Sequence, residues 1–137
     1  MILADTGAIL ALLDSGDRHH DELRLLYENQ PDAWVLPWAI LPEVDYLVAT
    51  HIGPQAQDLW MADVATGGFA VEWGRDGDLA AAERICRRYK SLRLGLVDGT
   101  VIALAERLRV DAIATLDLKH FGAVSIKGRP KLLPRDT

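Results

Sequence analysis

Short apolar runs alternate with longer helical patterns along the chain. Uniformly apolar runs predict strands at residues 1–5, 34–38, 69–73 and 111–117, and a weaker run at 123–128 also fits a strand. Apolar residues at helical spacing predict helices at 6–15, 17–30, 41–50, 55–66, 78–90 and 97–108. Apolar strands alternating with helices are typical of a parallel sheet covered on both faces. The pattern therefore predicts an α/β fold in one domain, residues 1–137.

Composition narrows the possible functions. The single cysteine, Cys86, excludes an internal disulfide and a zinc site built on cysteine pairs. No run is long and apolar enough for a membrane span, and no signal peptide is evident, so we expect a cytoplasmic protein. With a net charge of -5, the protein as a whole repels nucleic acid. Any contact with RNA must use bound cations or a local basic patch, for which Arg84, Arg87 and Arg88 are the first candidates and Lys127, Arg129 and Lys131 the second.

Acidic residues occupy four positions at which strands end or apolar helices begin. Asp5 ends the first predicted strand, and Asp117 ends the fourth. Glu43 and Asp98 lie in the first turns of two predicted helices. In a parallel α/β sheet, the carboxyl ends of the strands and the N-termini of the following helices share one edge. We therefore expect the four carboxylates to converge at that edge.

Two interpretations of these acids follow from the residues alone. Aspartate is a favoured N-cap and acids stabilise helix N-termini, so each residue taken singly is explained as a cap. Four carboxylates in one cleft would instead raise each other's pKa values, and a bound divalent cation would relieve that repulsion. All-oxygen ligands select hard cations such as Mg²⁺ or Mn²⁺, which activate water and neutralise a phosphoryl group. The recurrence of the pattern at four places favours a metal site.

Four segments that span nearly the whole chain hold the acidic positions: "ADTGAILALLD", "LPEVDYLV", "LGLVDGTVIALAERL" and "IATLDLKHFG". In order and spacing they resemble the PIN-domain family, in particular the VapC toxins of bacterial toxin–antitoxin pairs. The resemblance implies a three-layer α/β/α sandwich that cleaves RNA with Mg²⁺ or Mn²⁺ held by clustered acids. It also implies a homodimer and a cognate antitoxin, a segment of which enters the acidic cleft.

The resemblance also implies a role for individual residues. Asp5, Glu43, Asp98 and Asp117 take the acidic positions, with Asp5 and Asp98 as direct metal ligands and Thr115 as a polar support. The implied reaction is metal-assisted hydrolysis of a phosphodiester bond by water. No protein nucleophile is required, which agrees with the lack of a Ser-His-Asp or Cys-His arrangement.

Three residues beside the predicted ligands raise further expectations. Thr6 either braces the Asp5 carboxylate or caps the helix that follows. Gly7 stands where the family often has Ser or Asn, and we expect it to permit a tight turn. Gly99 stands where Ala is commoner, and we expect it to loosen the start of its helix. Neither glycine removes a ligand.

Other interpretations of the same residues are weaker. Asp-Thr-Gly is also the signature of aspartic proteases, but that fold is all-β and needs a second such motif, whereas residues 78–90 and 97–108 are helical in pattern. A non-catalytic PIN-fold module that binds RNA or protein is the main alternative, although this chain keeps all four acids. The histidines lack metal-ligand spacing, and His120, next to an expected core residue, Phe121, is not assigned to the site.

Overall fold

Five short strands form one sheet in a computed structural model that describes residues 1–137. The strands are Ile2–Ala4 (β1), Trp34–Pro37 (β2), Ala70–Glu72 (β3), Ala112–Ala114 (β4) and Lys131–Leu133 (β5). Their order is β3-β2-β1-β4-β5, and every neighbouring pair is parallel. β1 and β4 lie at the centre, where Leu3 is in register with Ile113. The predicted parallel sheet is confirmed.

Seven α-helices connect and cover the strands. They are Thr6–Leu13 (α1), His20–Asn29 (α2), Leu41–His51 (α3), Pro54–Ala65 (α4), Asp76–Arg88 (α5), Leu96–Leu108 (α6) and Leu118–Phe121 (α7), with short 3-10 helices at Pro31–Ala33, Trp38–Ile40 and Lys90–Leu92. α1 packs on α2 and α3, α3 packs on α4, and α6 packs on α5 and α7. Because parallel crossovers are right-handed and the strand order reverses after β3, these two groups cover opposite faces, which gives the predicted three layers. None of the helices combines the length and apolar character that a membrane crossing requires.

The core lies between the central strands and the helices on both faces. Leu3, Leu36 and Ile113 are fully buried in three neighbouring strands. In α6, every residue from 99 to 105 is buried, which explains the strongly apolar character of this segment. β1, β4 and α6, near whose ends three of the predicted site residues lie, are therefore anchored in the core.

The fifth strand lies at Lys131–Leu133, so the strand predicted at 123–128 was wrong. In residues 123–128 the backbone N–H of Ser125 donates to the hydroxyl oxygen of Tyr89 (3.1 Å) and not to a neighbouring strand. The chain then turns at Gly128, whose φ of 85° is left-handed, and the next residues pair with β4. Ile126 is buried and Val124 packs against the core, so this loop has apolar residues at alternate positions, as a strand would.

Gly99 lies where α5 and α6 approach each other closely. A Cβ atom at residue 99 would lie 2.6 Å from Sγ of Cys86 and 2.9 Å from the carbonyl oxygen of Ala82, well inside normal contact distances. The expectation that this glycine only loosens the helix start was therefore incomplete. The missing side chain lets α5 pack against the first turn of α6, which carries Asp98.

Replacing Gly99 with alanine is expected to destabilise the protein by about 1–3 kcal/mol, the usual effect of overpacking. This loss should outweigh the gain of up to about 1 kcal/mol that alanine brings in a helix interior. Adding Cys86→Ala should recover part of the loss but not all of it, because the Ala82 carbonyl belongs to the backbone. Urea denaturation of the single and double variants measures both effects, and a Gly99→Ala protein as stable as the wild type would contradict the packing argument.

An ion-pair network fixes the other end of the α5–α6 pair. The guanidinium of Arg107 donates to both carboxylate oxygens of Asp78 (2.7 and 2.8 Å) and to Glu72 at the end of β3 (3.2 Å). Asp78 is buried, and its hydrogen bonds from Arg107 hold its pKa below the usual range. It also accepts the backbone N–H of Arg75, so one buried carboxylate joins the start of α5 to α6.

Candidate metal centre

The four predicted acids line one cleft at the carboxyl ends of the central strands. The chain leaves β1 toward β2 but leaves β4 toward β5, so a crevice opens between β1 and β4, where α/β proteins bind ligands. The cleft has a volume of about 400 Å³ and is lined by Asp5, Thr6, Gly7, Leu10, Glu43, Leu47, Asp98, Leu116 and Asp117. Arg84, Arg87 and Arg88 do not line it.

Asp5 is the most deeply buried acid of the cleft and directly follows β1. Its backbone N–H donates to the carbonyl oxygen of Ala114 (2.9 Å), which continues the β1–β4 ladder by one residue. Its carboxylate accepts a hydrogen bond from Oγ1 of Thr115 (3.1 Å). The same Oγ1 accepts the backbone N–H of Asp117 (3.0 Å). A single buried threonine thus connects the two acids that end the central strands.

Asp98, Asp117 and His120 form the tightest part of the cluster. Asp98 lies in the first turn of α6, where its carboxylate accepts the N–H of Gly95 (3.2 Å). Asp117 caps α7 by accepting the N–H of His120 (3.1 Å), and Nδ1 of His120 lies 2.8 Å from its other oxygen. The same Nδ1 is 3.6 Å from Asp98. One potential ligand atom from each of the three residues lies within 4.8 Å of the other two.

His120 was not assigned to the site from the sequence, and the structure places it against two of the acids. Phe121, its neighbour, is buried in the core as expected, but α7 turns His120 toward the cleft. A signal was present in the spacing, because Asp117 and His120 are three residues apart and so share a helix face. A carboxylate only accepts hydrogen bonds, so Nδ1 carries the proton in this contact.

Burial and neighbouring negative charges raise the pKa values of Asp5 and Asp98. Burial raises the pKa of Asp5 from 3.8 to about 6, and the charges of Asp98 and Asp117 add to the effect. Burial also raises the pKa of Asp98, with further contributions from Asp117 and Glu43, against the opposing hydrogen bond from Gly95. Negative charge is therefore concentrated in the cleft at neutral pH at a free-energy cost, which a cation would offset.

The two residues after Asp5 behave differently from expectation. Oγ1 of Thr6 is buried and has no hydrogen-bond partner, so it neither braces the Asp5 carboxylate nor caps α1. Gly7 lies inside α1 without a positive φ, and a Cβ there would meet nothing within 4 Å, so no tight turn requires this glycine. Its lack of a side chain instead leaves the mouth of the cleft open.

The cleft has the donor chemistry of a hard divalent cation. The donors are carboxylate oxygens from four separate elements, which suit Mg²⁺ or Mn²⁺. The unpartnered hydroxyl of Thr6 is a further oxygen in the wall of the cleft, and a buried hydroxyl normally has a partner. The oxygen donors that line the cleft therefore fit a hard divalent cation, and the ligand atoms of Asp98, Asp117 and His120 lie within 4.8 Å of one another.

Comparison with known proteins places the chain in a family. Residues 2–127 match the model of the PIN domain. The chain is 32% identical over 123 residues to Ribonuclease VapC26 of Mycobacterium tuberculosis, which covers 90% of this chain and 91% of that protein. The fold matches the crystal structure of M. tuberculosis VapC20, a toxin that cleaves the sarcin-ricin loop, with a TM-score of 0.82 at 21% identity over 93% of this chain and 98% of the other. Together with the acidic cleft, these matches show that the protein belongs to the PIN-domain family, in its VapC branch.

Proposed function

We propose that this protein is a divalent-metal-dependent endoribonuclease, the toxin of a toxin–antitoxin pair, that hydrolyses RNA phosphodiester bonds. The observation that carries the proposal is the convergence of Asp5, Glu43, Asp98 and Asp117 in one cleft. Its relatives are named a ribonuclease and an RNA-cleaving toxin, which supports the same chemistry here. A non-catalytic binding module would have no need of four charged residues at this free-energy cost.

Each of the four acids has a proposed part in holding Mg²⁺ or Mn²⁺. Asp5 and Asp98 are the direct ligands, and Glu43 and Asp117 complete the negative site. A divalent cation bound there would acidify a water molecule and offset the charge on the phosphoryl group. Without it, the carboxylates would repel the RNA backbone from the cleft, so the metal is needed for binding as well as for chemistry.

Two polar residues hold the acids in position. Thr115 orients the Asp5 carboxylate through its 3.1 Å hydrogen bond, and it also fixes the backbone at Asp117. His120 contacts both oxygens of Asp117, one through its backbone N–H and the other through its ring, so that carboxylate has one orientation. Outer hydrogen bonds of this kind orient metal ligands and raise metal affinity. We assign both as positioning residues.

The proposed partners are a cognate antitoxin and a second copy of the chain. The acidic cleft is suited to a basic side chain of the antitoxin, which would compete with the cation. Tyr46 of α3 and Leu59 of α4 are exposed apolar residues on two helices that pack together, and they support a homodimer through these helices. Light scattering should give twice the chain mass of 15.1 kDa, and a monomer at micromolar concentration would contradict this proposal.

The proposed activity is tested with purified protein and RNA that contains single-stranded loops. Cleavage should require Mg²⁺ or Mn²⁺, stop in EDTA and return when the cation is restored. Inducing the protein alone should arrest bacterial growth, with the RNA in the cytoplasm as target. Cleavage that persists in EDTA would contradict the mechanism, and protein prepared identically with Asp5→Asn controls for contaminating nucleases.

A further inference from the structure

A second concave surface, which we call the basic groove, lies between α5 and the segment that follows α7. Arg84, Arg87 and Arg88 line it from α5, and Lys127 lines it from the facing segment. The groove has a volume of about 370 Å³, and its apolar lining includes Ile85, Ile102 and Val124. Lys127, the first member of the second basic set, therefore faces the first basic set across one groove.

The arginines that line the basic groove form almost no ion pairs within the protein. Arg84 and Arg88 are exposed one helical turn apart on α5, an arrangement that is destabilising for like charges. Neither pairs with an acid, and Arg87 has only an exposed contact of 3.5 Å with Glu83. The helix dipole favours cations in the last turn of α5, but it does not explain Lys127 on the opposite wall.

The one acid that lines the basic groove is already engaged. Glu106 of α6 accepts the backbone N–H of Lys127 (2.9 Å), which ties the loop to the helix. Four cations thus surround one partnered carboxylate in a chain whose net charge is -5. Such a local excess of positive charge points to an anionic ligand.

The basic groove adjoins the acidic cleft. Asp98 and Ile102 are four residues apart on α6, a rise of about 6 Å, and the first lines the cleft while the second lines the groove. On the other side, His120 contacts Asp98, and Ser125, a few residues further on, donates its N–H to Tyr89. A strand of nucleic acid that lies in the groove would therefore reach the acids within about one helical turn.

We propose that the basic groove binds the single-stranded RNA backbone beside the bond that is cleaved, a proposal that rests on the ribonuclease function above. Arg84, Arg88 and Lys127 contact phosphates, so the groove contributes affinity and orientation but little sequence preference. Ile85, Tyr89 and Val124, which are partly exposed, take the faces of unstacked bases, which a duplex does not offer.

The test measures binding of a fluorescein-labelled single-stranded RNA by anisotropy at several salt concentrations. All proteins carry Asp98→Asn to prevent cleavage. One adds Arg84→Gln with Arg88→Gln and another adds Lys127→Gln. The matched control adds Arg18→Gln with Arg24→Gln, which removes the same charge from exposed residues near α2, a helix that packs on α1.

The α5 pair of substitutions should weaken RNA binding about tenfold and lower the slope of log affinity against log salt by about 1.4, since each phosphate contact on a single strand contributes about 0.7. Lys127→Gln should lower the slope by about 0.7, and the control should bind within twofold of the parent. With Asp98 restored, the α5 variant should show a raised KM and a kcat within about threefold of wild type. The replaced residues are exposed, so melting temperatures should not change.

Three results would overturn the proposal. If the groove variants bind RNA with the parent's affinity and salt slope while the wild type cleaves RNA, the groove has no role in RNA binding and the ribonuclease function stands. If only the α5 pair weakens binding, RNA crosses α5 outside the groove. If RNA affinity is kept but binding to the purified antitoxin is lost, the groove is a protein-binding site. A wild type that neither binds nor cleaves RNA would contradict the ribonuclease function itself.

Discussion

Replacing Asp98 with asparagine should reduce RNA cleavage more than about 100-fold while the protein stays folded. Losing an outer partner of a metal ligand lowers metal affinity by about 10- to 100-fold, and losing a direct ligand should do more. Asparagine caps helices about as well as aspartate and keeps an acceptor for the Gly95 N–H, so α6 should begin as before. A residue that acts only as a cap would tolerate the change.

Thermal melting distinguishes the two roles of Asp98. Burial raises the pKa of this carboxyl, so removing its charge should leave the metal-free melting temperature level or higher. The rise in melting temperature on adding Mg²⁺ or Mn²⁺ should shrink, because that rise reflects binding to the folded state. The matched control is Asp76→Asn, an exposed acid in the first turn of α5. Normal cleavage together with a normal metal-induced shift in Asp98→Asn would leave Asp98 a cap.

Replacing Asp5 with asparagine should abolish cleavage and, without metal, stabilise the protein at pH 7 and above. The Asp5 side chain is buried, and its pKa of about 6 in the folded protein compares with 3.8 for an exposed aspartate. That difference corresponds to at most about 3 kcal/mol of folding free energy that the wild type loses when the carboxyl ionises. Asparagine keeps an oxygen that accepts the Thr115 hydroxyl but carries no charge.

The gain in stability from Asp5→Asn should depend on pH. Between about pH 4 and pH 6 the folded wild type holds a proton that the unfolded chain releases, so its stability falls as pH rises through this window. Below pH 4 both states are protonated at this position, and the variant has no advantage. Above pH 6 the full difference in folding free energy between wild type and variant is present. The stability curves of wild type and variant should therefore meet near pH 4 and separate toward neutral pH.

Urea denaturation in EDTA at pH 4, 5, 6 and 7.5 measures this separation. Asp58→Asn is the control, because it removes one negative charge from an exposed position on α4. It should follow the wild type at every pH. A constant difference between wild type and Asp5→Asn across the series would show that Asp5 is not the buried, repelled carboxylate that the structure describes.

Periodicity was sufficient to predict most of the fold because each predicted element buries its own apolar face. The segment at 97–108 is an example, since seven consecutive buried residues in α6 give a strong signal without tertiary information. The strand at Lys131–Leu133 was missed because it has only two consecutive apolar residues, whereas the other three-residue strands lie in longer apolar runs. Its pairing with β4 is also a long-range event. The packing role of Gly99 depends on Cys86 and Ala82 of another helix, so local sequence patterns could not predict it.

The acids of the site could be located from sequence because each stands where an apolar strand ends or an apolar helix begins. Asp5 and Asp117 stand at the carboxyl ends of predicted strands. In a parallel sheet these ends all lie at the edge where ligands bind. His120 could not be assigned in the same way, since its approach to Asp98 is set by how α7 packs on α6. The basic groove could not be predicted from the sequence either, because Lys127 and Arg84 face each other only after the loop folds onto α5.

The central claim is that a divalent cation bound by the clustered acids drives RNA cleavage, and a parallel titration tests it most directly. Mn²⁺ is added stepwise to the metal-free wild type, and both RNA cleavage rate and melting temperature are recorded at each concentration. We expect the melting temperature to begin to rise in the Mn²⁺ range in which cleavage appears. Both responses should be lost or strongly reduced in Asp5→Asn and Asp98→Asn but kept in Asp58→Asn. Cleavage that is independent of Mn²⁺, or a full melting-temperature rise in both site variants, would contradict the metal-dependent mechanism.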